Sequence, residues 1–239
     1  MILLIKLLLA HFIGDFLLQP LNWVNEKFEH KIKSSKLYLH AAIHGLLAFA
    51  FIADLSAWLP VLCLMAIHLL IDILKLYAQN EKSEKTWFFL DQALHLISIW
   101  AIWRIALIDV IPNNPNTLEI KIWLYATAVV FLTSVSGLII QLVIKHWTEL
   151  LKKFDQDSLP GAGKYIGMLE RLFVLIFIIT DHWEAIGFLI AAKSVFRFGD
   201  LKEAKEIKLT EYILIGTLMS FGIAILTGLI VKEIIGYLK

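Results

Sequence analysis

The chain has 239 residues, 59% of them hydrophobic and 18% charged, with a mean hydropathy of +0.75 and a net charge of +1. Soluble domains hold about 45–50% apolar and about 25% charged residues, so a soluble domain is excluded and the long apolar runs mark a polytopic membrane protein. A near-neutral chain offers no concentrated basic face, and no nucleic-acid partner is expected. The single cysteine, Cys63, lies inside an apolar run, which rules out a disulfide framework and a cysteine-based zinc site.

In chain order, runs able to cross a hydrocarbon core of about 30 Å fall at 2–21, 37–58, 59–79, 87–111, 118–146, 165–180, 183–198 and 210–238. The first carries His11, Asp15 and Gln19 and has no small-residue cleavage site, so it reads as a retained span and not as a secretory signal. The sixth and seventh are short and predict a tight hairpin turning at Asp181 and His182. Every run exceeds the length of a strand, and the expected fold is all-α with about eight transmembrane helices.

Lysine and arginine gather in alternate connections. Lys27, Lys31, Lys33 and Lys36 follow the first span, Lys82 and Lys85 the third, Lys152, Lys153 and Lys164 the fifth, and Arg197, Lys202, Lys205 and Lys208 the seventh. The other connections carry none, which predicts that the basic loops are cytosolic and both termini extracytoplasmic. Pro112 and Pro115 in the loop 112–116 cannot continue a helix and divide the chain into two four-helix halves, 1–111 and 112–239.

Ionisable residues inside spans are costly and read as functional. The first half holds His11 and Asp15, His40 and His44, His68 and Asp72, and Asp91 and His95, each pair four apart and so on one helix face. Counted inward from the cytosolic ends, Asp15, His44, Asp72 and His95 share one depth, roughly 10 Å below the surface. Gln19, His40, Lys75 and Asp91 fall one turn shallower, and His11 and His68 one turn deeper. Three tiers on four helices predict a polar core opening toward the cytosolic leaflet.

Inward-facing imidazole and carboxylate at this spacing suit a divalent-metal centre in a bundle. The eight candidate ligands are His11, Asp15, His40, His44, His68, Asp72, Asp91 and His95. They are enough for one or two ions, zinc first, with iron or manganese as alternatives, since no thiolate is available. Paired histidines also suit haem, but interleaved aspartates fit it less well. Asp15, Asp72, Asp91 and Lys75 are the candidate catalytic residues, Lys75 being an ion-pair partner or a phosphate-facing cation. Gln19 and Gln92 read as caps of the network, and His30, His146 and His182 as surface residues.

In the second half, a Gly-rich turn at 159–164 feeds a helix, and the N-H groups of a helix start favour anions. Lys164, Arg171, Lys193 and Arg197 are expected on one side, with Glu170 as a partner. They form either a phosphate pocket or a basic flank touching lipid headgroups. The stretch 145–154 is expected to extend the fifth span along the membrane surface.

The segments AHFIGDFLLQPLNW, LYLHAAIH, HLLIDILK and DQALH, in this order, resemble a bacterial membrane family carried as domain of unknown function 3307. The similarity covers about the first half; GKYIGMLER and IGFLIAAKSVFRFGDLK resemble longer members. A looser similarity to inner-membrane metal-dependent hydrolases implies an enzyme. The resemblance implies the bacterial cytoplasmic (inner) membrane. Three functions remain open. The first is a metal-dependent hydrolase of the phosphoester class, acting on a membrane-associated or phosphorylated substrate such as an anionic lipid. The second is a cation or proton transporter, disfavoured because the external half of the first four helices is apolar. The third is a non-catalytic module stabilised by metal.

Overall fold

The computed structural model describes residues 1–108, 116–151, 161–198 and 204–238, with backbone alone at 148–151, 196–198 and 204–209. The described residues are helical and contain no strand. The chain divides into two compact units, Met1–Thr127 and Ala128–Lys239. The expected boundary at 111/112 falls in 109–115, outside the described residues.

In the first unit, α1 (Ile2–Phe16), α3 (Ser35–Ile52), α4 (Trp58–Ala78) and α5 (Glu84–Ile102) are the four expected helices. Short connections make α3, α4 and α5 successive antiparallel neighbours. α1 packs on α3 and α5, α3 on α4, and α4 on α5, closing a ring. Local signals set the ends. Ser34 Oγ caps α3 by accepting from Lys36 N–H, Asp54 accepts from Ser56 before α4, and Pro60 sits in the first turn of α4, where a missing N–H is harmless. α5 runs on into a π-helical turn, Trp103–Leu107.

The first span departs from expectation. It stops at Phe16, because residue 20 is a proline and the residue before it, Gln19, is pushed out of the helical region. The chain then turns by 80° into α2 (Leu21–His30) and a 3-10 turn, Lys31–Lys33, where a loop was predicted. Gln19 is therefore off the helix and outside the tier to which its spacing assigned it.

The ring is built inside out relative to a soluble bundle. α4 and α5 bury His68, Asp72, Asp91 and His95 while exposing Leu70, Leu74, Ile97 and Trp100. That is the distribution a hydrocarbon solvent selects, since polar groups there must find partners inside the protein. α6 (Thr117–Val130) begins in this unit, held by Lys6, whose ammonium lies 3.3 Å from Glu119 and over the Trp123 ring.

The second unit contains a π-helical turn, Phe131–Val135, continuing into α7 (Ser136–Leu151), then α8 (Ala162–Ile179), α9 (Trp183–Phe198) and α10 (Ala204–Gly236). α10 packs on α7 and α8, and α9 on α8. The α8–α9 turn falls at Asp181, as predicted, with Asp181 in the left-handed region at φ 62° and paired to Lys232. Among the described residues, four helical stretches are long and apolar enough to cross a membrane: Ser35–Ile52, Leu55–Ala78, Thr117–Trp147 and Thr210–Gly236; the bent pair α1 and α2 makes up to five. The chain is thus an all-helical integral membrane protein.

Candidate metal centre

All eight predicted ligands come together in the ring of the first unit. α1 delivers His11 and Asp15, α3 His40 and His44, α4 His68 and Asp72, and α5 Asp91 and His95; each of the five imidazoles is buried. Asp15 is the hub. Its Oδ1 lies 2.9 Å from His44 Nε2, 3.2 Å from His40 Nε2 and 3.8 Å from His68 Nε2. On the other side, His95 Nε2 is 3.4 Å from Asp91 Oδ1 and 3.6 Å from Asp72 Oδ1.

The predicted tiers merge into one cluster. His40, expected a turn shallower than Asp15, reaches it, and its Nε2 is also 3.2 Å from Nε2 of His68, expected a turn deeper. Imidazole and carboxylate arms reach along the helix axis by a distance comparable to one turn, so spacing along the helix overstates their separation. The rings of His44, His68 and His95 stack in succession, with centroids 3.8 and 4.1 Å apart.

The chemistry of this cluster is unfinished. Nε2 of His44, Nε2 of His95, Oδ1 of Asp15 and Oδ1 of Asp91 are buried with no directed hydrogen bond, although they crowd one another. Buried polar atoms left in this state destabilise a fold unless something satisfies them. Three sets place one ligand atom each within 4.8 Å of one another: His11, Asp15, His44 and His68; His40, His68 and Asp72; Asp15, Asp91 and His95. Ligands about 2.0 Å from a tetrahedral ion are about 3.3 Å apart, and the contacts of 2.9 to 3.8 Å around Asp15 Oδ1 bracket that spacing. The donor set fits zinc, iron or manganese. Shared Asp15 and His68 suit one ion, or two bridged by a common carboxylate.

The surrounding groups hold the cluster in place. Gln92 donates to Asp15 Oδ2 at 2.7 Å, and its Oε1 is 3.2 Å from His11 Nε2, so it orients two candidate ligands rather than merely capping them. Lys75 is an ion-pair partner, with Nζ 2.9 Å from Asp91 Oδ2. Two contributors were not foreseen. Lys27, read as a loop cation, is buried on α2 with Nζ 2.8 Å from Asp72 Oδ2. Gly14 lets His44 lie against α1, for a Cβ there would sit 2.4 Å from the imidazole.

A cavity of about 20 Å³ borders the cluster on the side away from Lys27 and Lys75. It is lined by His11, His44, His68, His95 and Ser98, and beyond them by apolar residues one turn further along each helix: Leu7, Ala48, Leu64 and Ile99. The volume holds about one water-sized species.

Among the described residues of the second unit, Lys164, Arg171 and Lys193 do not share one pocket. Lys164 is exposed, and Lys193 donates to Glu170 at 2.7 Å. Arg171 turns inward, donating from Nε to Leu132 O at 2.5 Å and from Nη1 to Ser220 Oγ at 3.1 Å. The cause is the π turn. Ser136 N–H reaches back five residues to Phe131 O instead of four to Leu132 O, and Leu132 O takes side-chain donors from Ser136 and Arg171. The side chain of Arg197 and residues 159–160 of the Gly-rich turn lie outside the described residues, while Gly161 is the N-cap of α8 at φ 77°.

No curated protein and no solved structure matches this chain. A family model does: the one described as Protein of unknown function (DUF3307) aligns with residues 3–125, which include every helix of the His and Asp cluster. With half of its length so matched, the chain belongs to the DUF3307 family.

Proposed function

We propose that the first unit is an intramembrane divalent-metal centre of the hydrolytic type, acting on a membrane-associated or phosphorylated substrate. The observation that carries this reading is the crowding of orphaned, buried Nε2 and Oδ1 atoms from α1, α3 and α5 with His68 and Asp72 of α4 into three overlapping ligand sets. A bound divalent ion supplies Lewis acidity and a water of lowered pKa. The chain's own residues do the rest. Asp15, His11, His44 and His68 would hold the ion, and Gln92 fixes Asp15 and His11. Asp91, pinned through Oδ2 by Lys75, keeps Oδ1 free of a directed hydrogen bond as a proton acceptor.

In this reading the basic connections are cytosolic, and eight helices span a bacterial inner membrane with both termini outside. The shorter α1, α5, α8 and α9 are then spans too, tolerated because neighbours pair their polar groups. A continuous cation path is disfavoured, because the residues a turn beyond the histidines are Leu7, Ala48, Leu64 and Ile99.

Purified protein loaded with zinc, iron or manganese is to be tested for hydrolysis of phospholipids and isoprenoid phosphates. Metal-dependent turnover that disappears in Asp91→Asn is the expected result. Metal-loaded protein with no turnover on any panel member contradicts the hydrolase.

A further inference from the structure

α2 lies outside the helical ring yet contributes one of the groups closest to its centre. Lys27 is 6% exposed, and its ammonium is 2.8 Å from Asp72 Oδ2. The helix is tied down by side chains whose only evident task is to hold it there. Lys31 Nζ donates to Leu76 O at 2.6 Å at the end of α4, and Ser34 Oγ donates to Glu26 Oε1 at 3.1 Å. The junction after α2 is strained, with Lys31 at φ 52° and ψ −129°, a conformation that non-glycine residues adopt only where surrounding contacts enforce it. Next to α2, Leu17, Leu18, Leu21 and Ile32 are exposed apolar side chains, as expected of a segment lying at the membrane interface.

Two ammonium groups thus stand on the same side of the cluster, Lys27 on Asp72 and Lys75 on Asp91. Each ammonium has three donors, and the carboxylate engages one. With neutral imidazoles, the three carboxylates outweigh the two ammonium groups, and the site repels an anion. A divalent ion on the carboxylates reverses the sign of the whole site, the two ammonium groups included. An anion then relieves the excess positive charge and takes up the spare donors.

We infer that Lys27 and Lys75 form a two-ammonium clamp for a phosphoryl group, so that the site takes metal first and an oxyanion second. This rests on the metal-centre reading and deepens it. α2 becomes the wall of the substrate site, and Lys27 a specificity-determining residue. The ligand chemistry is a phosphate monoester or free phosphate. Lys27 also competes with the metal for Asp72, so its two effects have opposite signs: it strengthens anion binding and weakens metal binding.

The test uses the full-length protein in detergent, titrated with zinc and then with inorganic phosphate by calorimetry, alongside Lys27→Gln and Lys27→Arg. Wild type is expected to bind phosphate only when loaded with zinc, and zinc to bind more tightly with phosphate present, as reciprocity of coupled binding requires. Lys27→Gln is expected to hold zinc at least as tightly as wild type while losing at least about tenfold in phosphate affinity. Lys27→Arg is expected to retain phosphate binding. Nanodiscs distinguish the sources: competition by phosphatidic acid but not phosphatidylcholine places the phosphoryl group on a lipid, and the absence of competition leaves a soluble phosphate ligand. Phosphate affinity within about twofold of wild type in zinc-loaded Lys27→Gln overturns the clamp and leaves the metal centre standing. Loss of zinc and phosphate together in both variants marks Lys27 as structural and also overturns it. Wild type that takes up no zinc, iron or manganese overturns the metal centre itself.

Discussion

Both units bury ionisable side chains among apolar helices, and they treat them in opposite ways. In Ala128–Lys239, Glu170 meets Lys193, and Arg171 meets Leu132 O and Ser220 Oγ. In Met1–Thr127, five imidazoles and three carboxylates crowd together and leave partners unfilled. Among the described residues, all seven buried side-chain nitrogen and oxygen atoms without a hydrogen-bond partner belong to His11, Asp15, His40, His44, Asp91 and His95. A satisfied polar network specifies a fold, whereas an unsatisfied one stores a demand that a ligand meets. The comparison separates a scaffold from a site without reference to any relative.

Removing the hub has the largest expected effect. Asp15→Ala takes away the carboxylate that three histidines surround, and metal affinity is expected to fall by more than about 100-fold, read by competition with a chromogenic chelator. The counterpart in the other unit is Arg171→Met, which strips two hydrogen bonds from a buried charge. It is expected to lower stability by about 1.5–3 kcal/mol, read by thermal unfolding in detergent, with metal stoichiometry unchanged. Metal loss in Arg171→Met erases the distinction between the units.

Two glycines sharpen the contrast on a finer scale. At Gly14 a Cβ would meet the His44 ring at 2.4 Å, whereas at Gly137 it would meet Arg171 Nη2 at an ordinary 3.5 Å. Gly14→Ala is expected to weaken metal binding by about 10- to 100-fold, since a displaced imidazole is a lost ligand. Gly137→Ala is expected to leave metal binding alone and to stabilise the helix by up to about 1 kcal/mol. The smallest loss of metal affinity belongs to Gln92→Ala, which frees Asp15 and His11 without removing a ligand; a loss of about tenfold is expected in the same chelator assay.

Much of the site was legible because helical periodicity is simple. Residues four apart share a face, and the eight ligands occur as four such pairs, so His11 with Asp15 and Asp91 with His95 could be placed before any fold was known. The turn at Asp181 was legible for the same reason, lying where two apolar runs meet. α2 was not. Its ten residues are polar enough to pass for a cytosolic loop, and the break at Pro20 marks an end without saying that another helix follows. Lys27 was hidden by distance, since its partner Asp72 is 45 positions away. Arg171 misled for a related reason. A cation near other cations reads as an anion site, while the π turn that redirects Leu132 O adds one residue to the helical repeat and leaves no periodic trace.

Elemental analysis of detergent-purified protein, beside a His44→Ala, Asp72→Ala double variant that remains helical by circular dichroism, decides whether the first unit holds a metal. One or two equivalents of zinc, iron or manganese are expected in the wild type and none in the variant. Metal-free wild type, or equal metal in both proteins, contradicts it.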